Sequence, residues 1–376
     1  MNAIHGFRPP MADSTRGYIP RPLTGPQKIP PEVSRTLDPA GKRSTLDTAP
    51  PPLTMGSAVG LKLAPGMSLT TLEHPRAKVA SRRVGIRADA PAKINLTLEV
   101  LGRRNDGYHD LRSLVIGVDL RDRVRCQPSS IPGITLACSD PTLNNPDNLA
   151  VRAARIIAER CDGEPPLRIE LQKRIPVGAG LGGGSSDAAT TLRLCNSLWR
   201  TDLPTTELAA IGAKLGSDVP LFFSLPSAVL EGRGERVSPV RLRWSGWVLL
   251  ILPPVVVSTA EVYRAWRPDD SDGCPSGTDR DILHATSAAE LSELLTNHLE
   301  PAVFRVCPTL APLRDELISL GLTSIRVSGS GSAFYCLYDD QEAALRAAKN
   351  IQERLSQVAT VVAAAPVGES PVFSEE

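Results

Sequence analysis

The chain has 376 residues, with 42 Lys and Arg against 41 Asp and Glu and a formal net charge of +1. That length suits roughly two domains of ordinary size, and the near-neutral charge argues against a protein that grips nucleic acid through its phosphate backbone. No apolar run approaches the roughly 18 residues of a membrane span and no short apolar leader core opens the chain, which predicts a soluble cytoplasmic protein with no membrane partner. The seven cysteines (Cys126, Cys138, Cys161, Cys195, Cys274, Cys307 and Cys336) are scattered singly. They read as reduced intracellular thiols, not as a disulfide frame or a zinc site.

Residues 1–82 stand apart in composition: 13 of the 34 prolines fall in the first 80 residues, mixed with Ser, Thr, Arg and Gly. Such a stretch buries too little apolar surface to offset its chain entropy, which predicts a largely disordered extension. Its Arg and Ser/Thr content also suits an organelle transit peptide, against which stand Asp13, Glu32, Asp38 and Asp47. A start at Met11, Met55 or Met67 is a third reading.

From Val84 onward the pattern is that of a folded protein. Alternation predicts strands at 84–90, 93–101, 113–119, 122–127, 133–138 and 167–172, and apolar spacing predicts helices at 148–161, 185–200 and 205–214. After an Arg- and Pro-containing stretch at 236–246 a second unit begins with a strand at 247–252 and a helix at 259–266. A polar loop (267–277), helices (279–294, 297–305, 308–320), strands (323–328, 333–338), a helix (340–355) and a strand (357–364) follow. The order predicts an α+β protein with domains at 83–246 and 247–366 and a loose tail at 367–376.

Five segments carry candidate chemistry. The first, Pro176-Val177-Gly178-Ala179-Gly180-Leu181-Gly182-Gly183-Gly184-Ser185-Ser186-Asp187, leads into a helix. Its glycines let main-chain amides converge on an anion, the N-cap types Ser185, Ser186 and Asp187 suit the helix start, and the helix dipole favours phosphate there. No Lys follows the last glycine, so this is not a Walker loop. The second is Lys93 at the head of an alternating strand, sharing its polar parity with Asn95. In the third, Asp218 sits in a short turn between a helix and an apolar run. The fourth, Asn105-Asp106-Gly107, is a hairpin turn delivering Tyr108 and His109, a ring and an imidazole that suit an aromatic base. The fifth is the small-residue loop Ser328-Gly329-Ser330-Gly331-Ser332. Read singly, the last four are as readily a solvated lysine, a capping aspartate, a packed turn and a plain loop.

Together, in this order and with these flanks, the segments resemble the GHMP kinases, over about residues 83–366. Within that superfamily, Pro91-Ala92-Lys93-Ile94-Asn95-Leu96, Arg104 to His109, Leu215 to Phe222 and Glu231-Gly232-Arg233-Gly234-Glu235 are similar to the branch acting on a CDP-linked methylerythritol. The resemblance implies a ribosomal-S5-like first domain, a ferredoxin-like second domain and ATP-dependent phosphorylation of the acceptor's tertiary 2-hydroxyl, a step towards isoprenoids. It implies Asp218 as catalytic base with Lys93 as partner, ATP phosphates on 176–186, and Asn148 and Lys173 near adenine. It further implies that Tyr108 and His109 hold cytosine, with Tyr263 closing the other side of that base, and that Asn95 touches the acceptor. Mg²⁺ is expected with ATP, mostly through phosphates and water, with no protein ligand identified. The implied protein is a monomer or homodimer acting on a small molecule. Position 298 is His where the resemblance leads one to expect Asp, on a peripheral helix. A sister kinase for homoserine or mevalonate is the nearest rival, and those acceptors carry no base to stack. A ligand sensor or RNA binder would more naturally lack Lys93 or Asp218.

Overall fold

A computed structural model describes residues 85–161, 163, 165–272, 278–368 and 374–375. The proline-rich extension 1–82 and its predicted disorder lie outside the described residues, as does Cys274.

The first half contains β1 (Ile86–Asn95), β2 (Thr97–Arg103), β3 (His109–Pro128), β4 (Ile134–Cys138), α1 (Leu149–Ala158), β5 (Leu167–Gln172), α2 (Gly183–Trp199), α3 (Thr205–Leu215), β6 (Ser227–Gly232) and β7 (Arg236–Pro239). The second contains β8 (Trp247–Leu252), α4 (Thr259–Ala265), α5 (Asp279–His284), α6 (Ala288–Glu293), β9 (Thr296–Asn297), α7 (Glu300–Val306), α8 (Leu310–Ser319), β10 (Arg326–Val327), β11 (Phe334–Tyr338), α9 (Gln341–Leu355) and β12 (Thr360–Ala364). A last short strand, β13 (Ser374–Glu375), pairs with the start of β1.

The predicted strands 113–119 and 122–127 are one 20-residue strand, β3, which pairs with β1, β2, β5 and β6. The break seen in the sequence is a register shift: Pro91 faces Arg121 but Ala92 faces Val118. Such a bulge re-aims the side chains that follow it. Ala88 and Ala90 pack with α1, α2 and α3, whereas Ala92, Ile94 and Leu96, of the same parity, pack with the second sheet. The inversion turns Lys93 and Asn95 away from the second sheet.

The second sheet runs β10-β11-β8-β12, all antiparallel. Numbered within its own half this is order 2-3-1-4, the split βαβ arrangement of ferredoxin-like folds. One face, with Leu249, Ile251, Phe334 and Cys336, is covered by α7, α8 and α9, and the other, with Val248, Leu250 and Tyr335, packs on β1 and β3. The fold is therefore α+β in two domains.

Several elements differ from the sequence reading. The β6–β7 hairpin was not predicted, and the helix expected at 279–294 is two short helices, each started by its own cap, Thr278 and Ser287. The first residue of the expected tail is anchored: Val367 is buried and its N–H donates to the Gly117 carbonyl. His298 is on no helix. It follows β9, where its N–H donates to Leu98 O and its Nδ1 accepts the Val100 N–H at 3.1 Å. Burial lowers its pKa and keeps that nitrogen an acceptor, the service a carboxylate oxygen would give.

Candidate active site

The glycine-rich loop joins β5 to α2, and its carbonyls decide which way its amides face. Gly178 O accepts from Val257 N–H (3.2 Å), Ala179 O from Ala333 N–H (3.1 Å), Gly180 O from Ser328 Oγ (3.2 Å) and Leu181 O from Lys93 N–H (3.0 Å). A trans peptide points its N–H opposite to its C=O. Four carbonyls turned into the scaffold therefore turn the N–H groups of residues 179–182 outward, an anion-binding nest.

Two glycines make this geometry possible. Gly180 has φ +75°, and a Cβ there would lie 2.0 Å from Ser328 O and 3.0 Å from Gly331 O. Gly182, at φ +71°, is the left-handed N-cap of α2, and a Cβ there would press on Lys93 Cγ and Phe222 Cζ at 3.0 Å. The helix therefore starts ahead of Ser185, Ser186 and Asp187, which lie within it and do not cap it. Gly180→Ala is expected to destabilise the fold by roughly 1–3 kcal/mol through backbone strain, with a further contribution from the clash. Chemical denaturation with and without nucleotide would measure both effects.

Lys93 is buried between Gly182 and Gly329 and its ammonium donates to Asn95 Oδ1 at 2.6 Å. Asn95 Nδ2 donates to Ser113 Oγ (2.7 Å), which donates to Thr97 O, and Tyr335 donates from the second sheet to Asn95 O (2.8 Å). The polar face freed by the bulge is thus a fixed hydrogen-bonded row. Asp218, in the turn after α3, places Oδ2 3.8 Å from Lys93 Nζ. Its carboxylate is 38 % exposed while the lysine is 6 % exposed, so the pair has one solvent-facing and one buried partner. Burial lowers the Lys93 pKa and the Asp218 charge partly restores it. Asp218 also joins burial in raising the Tyr263 phenol.

One cleft of about 990 Å³ is lined by Lys93, Asn95, Gly178 to Ser185, Asp218, Tyr108, His109 and Tyr263. His109 stacks on Tyr263 (centroids 5.3 Å apart) and meets Trp266 edge-on at 5.5 Å. Tyr108 is half exposed, with the Arg233 guanidinium over its ring at 4.8 Å. Tyr263 thus lays its ring on His109. Burial first, then the Arg103 charge, lowers the His109 pKa, so near neutrality the ring offers one donor and one acceptor nitrogen.

Arg233, Trp266 and Ser113 line the cleft without having been singled out in the sequence. Arg233 stood within Glu231 to Glu235, and Trp266 follows Tyr263 by three residues. Pro176, Val177 and Ser186 do not line the cleft, nor do Asn148 and Lys173. Asn148 caps α1, accepting the Ala150 N–H at 2.9 Å, beside the cleft residue Leu149. Lys173 points its ammonium at Asp122 and, at 2.8 Å, at Asp187.

The second small-residue loop buttresses the first through Ser328 and Ala333, while Ser330 Oγ lies 2.7 Å from Thr259 Oγ1 on the cleft wall. An outward amide nest, a lysine–aspartate pair at its end and a ring cluster beyond define a small-molecule kinase of the GHMP class. Sequence profiles agree: the GHMP kinases N terminal domain matches residues 148–224 and the GHMP kinases C terminal profile matches 281–357. The chain belongs to the 4-diphosphocytidyl-2-C-methyl-D-erythritol kinase family. The enzyme of that name from Citrifermentans bemidjiense is 40% identical over 277 residues, 73% of this chain and 96% of that one. The one from Salinibacter ruber is 38% identical over 272 residues, 71% and 94% of the two chains. A crystal structure of 4-(cytidine 5'-diphospho)-2C-methyl-D-erythritol kinase superposes with TM-score 0.64 at 38% identity, covering 75% of this chain and all of that one. Homoserine kinase from Cytophaga hutchinsonii, TM-score 0.61 at 18% identity, shares the fold.

Proposed function

We propose that this enzyme transfers the γ-phosphoryl group of ATP to the 2-hydroxyl of 4-diphosphocytidyl-2-C-methyl-D-erythritol, a step in isoprenoid precursor synthesis. The observation that carries the reading is the meeting of Lys93 and Asp218 between the amide nest and the ring cluster, all on one cleft.

Phosphoryl transfer asks a protein chiefly to position reactants and to neutralise charge spreading over the transferred group. The nest at 179–182 and the dipole of α2 serve the triphosphate, and Asn148, at the neighbouring helix start, stays on the adenine side. Asp218 accepts the proton of the acceptor hydroxyl. Lys93, 3.8 Å from Asp218, faces the oxygens of the group in transfer, while Asn95 orients the acceptor. Tyr108 gives the pyrimidine a face, and His109, boxed by Tyr263 and Trp266, gives its edge a donor and an acceptor. Arg103, Arg233 and Arg264 also line the cleft, and the acceptor's own diphosphate needs cations.

Mg²⁺ supplies charge neutralisation on the phosphates when bound. Among the described residues no cluster of three His, Cys, Asp or Glu could hold it. The donors at hand are single hard oxygens, Asp218 and Ser185 on the cleft, which fits a metal carried mostly by phosphate and water.

We divide the folded part at 246/247, with 83–246 and 247–366 as its domains. The two profile matches fall on either side, and β8 opens the second sheet there. No helix of the described residues is long and apolar enough to cross a membrane, and we place the enzyme in the cytoplasm as a monomer or homodimer. An acceptor panel tests the reading. With ATP and Mg²⁺, ADP is expected from the CDP-linked methylerythritol and not from mevalonate or homoserine. The reverse preference would overturn it.

A further inference from the structure

We infer that Asp122, Lys173 and Asp187 form one buried positioning unit that holds both ends of the phosphate loop to β3 and thereby sets the affinity for the nucleoside triphosphate. The inference rests on the proposed kinase reading.

The three residues come from β3, from the segment ahead of the loop and from α2. Their side chains are 0%, 9% and 3% exposed, respectively. One oxygen of Asp122 accepts the N–H groups of Arg174 and of Ile175 (2.9 Å), and the other accepts the Lys173 ammonium. Lys173 also donates to Asp187 Oδ2 at 2.8 Å. Residues 173–175 enter the loop and Asp187 leaves it, so a single carboxylate on β3 fixes the entry while one ammonium ties entry to exit.

The ammonium lies directly behind the helix start, since a Cβ on Gly183 would sit 3.2 Å from Lys173 Nζ. A lone cation there would be unfavourable beside the positive end of the α2 dipole, although it would attract a phosphate. The carboxylates of Asp122 and Asp187 both meet it. Burial first, and the Asp122 charge as well, push the Asp187 carboxyl up to about 7 against the pull of Lys173. Its Oδ1 is buried without a hydrogen-bond partner.

Buried ion pairs contribute little net stability compared with apolar residues of the same volume. Their effect here is geometric, because the loop's inner carbonyls are fixed by the scaffold while its two ends depend on this unit. Lys173, with two carboxylates on its ammonium, acts on the nucleotide through the loop and not through the base.

Equilibrium titration of the full-length protein with a non-hydrolysable ATP analogue, and separately with its guanine counterpart, tests the unit. Asp187→Asn is expected to weaken ATP-analogue binding about tenfold, the scale of one charge-assisted hydrogen bond. The kcat at saturating ATP should stay within about threefold and the acceptor KM within about twofold, since the reacting groups are untouched. Lys173→Met should weaken both analogues by one common factor. The double variant should cost less than the product of the singles, because the groups act together. Should Lys173→Met fail to fold, Asp187→Asn and the double variant carry the test. Unchanged ATP-analogue affinity in a folded Asp187→Asn protein would overturn the inference. So would a changed adenine-to-guanine ratio in Lys173→Met alone, which would put Lys173 on the base. Wild-type protein that binds the analogue yet phosphorylates none of the CDP-linked acceptor would instead remove the kinase assignment, with the loop result still readable.

Discussion

Asp218→Asn is expected to lower kcat by about 10²- to 10⁴-fold, the range a general base contributes, while leaving ATP binding near wild type. The turn that presents Asp218 is held by its neighbours: Val219 and Phe222 are buried, Val219 N–H donates to Gly216 O and Phe222 N–H to Val219 O. Asn has the same shape, so the turn survives and only the proton acceptor goes. The substitution also withdraws the charge that supports the Lys93 ammonium. The alkaline limb of the residual activity should therefore move to lower pH. A pH series of kcat, with thermal unfolding in parallel, separates the catalytic from the structural account. A kcat within a few fold of wild type would remove Asp218 as the base. Equal losses in kcat and in melting temperature would make its role one of folding.

What the sequence discloses about this site depends on how far apart the cooperating groups stand along the chain. The glycine run, the Asn105-Asp106-Gly107 turn and the Asp218 turn are legible because each is a local conformational demand written in adjacent residues. The start of α2 is less so. Ser185, Ser186 and Asp187 are good caps by type, but a left-handed Gly182 ends the loop earlier, and residue preference cannot reveal a φ of +71°. Lys93 shows its parity, while the reason it faces the loop is a bulge against β3 that needs the pairing partner to be seen. The partner of Lys173, Asp122, is 51 residues away across a strand pair, and no spacing announces it. The same holds for Arg233 over Tyr108. The β6 run Ser227–Gly232 is a fully paired interior strand, and its short apolar stretch carries no alternation to mark it.

Lys93→Met is expected to reduce kcat by about 10²- to 10³-fold, as removal of one preorganised donor to a developing charge does, with a smaller effect on acceptor KM. Methionine fills the slot between Gly182 and Gly329 with a chain of similar length, so the loss reports the ammonium. The pH dependence gives a second and independent reading. Burial places the Lys93 pKa below its ordinary 10.5, with Asp218 opposing. The transfer step needs the cation, so wild-type kcat should fall as pH rises through that lowered value. Stability runs the other way. Between the lowered value and 10.5 the unfolded chain binds the proton that the folded chain has released, so this group's contribution to unfolding free energy rises with pH. Activity and the Lys93 share of stability should therefore diverge on the alkaline side, and Lys93→Met should abolish both trends. Lys93→Arg, which keeps the charge beyond the accessible pH range, should lose the alkaline limb while retaining only part of the rate, since a planar guanidinium does not match the single contact to Asn95 Oδ1. A limb that persists unchanged in Lys93→Arg would assign it to another group and leave Lys93 a packing residue between the two loops.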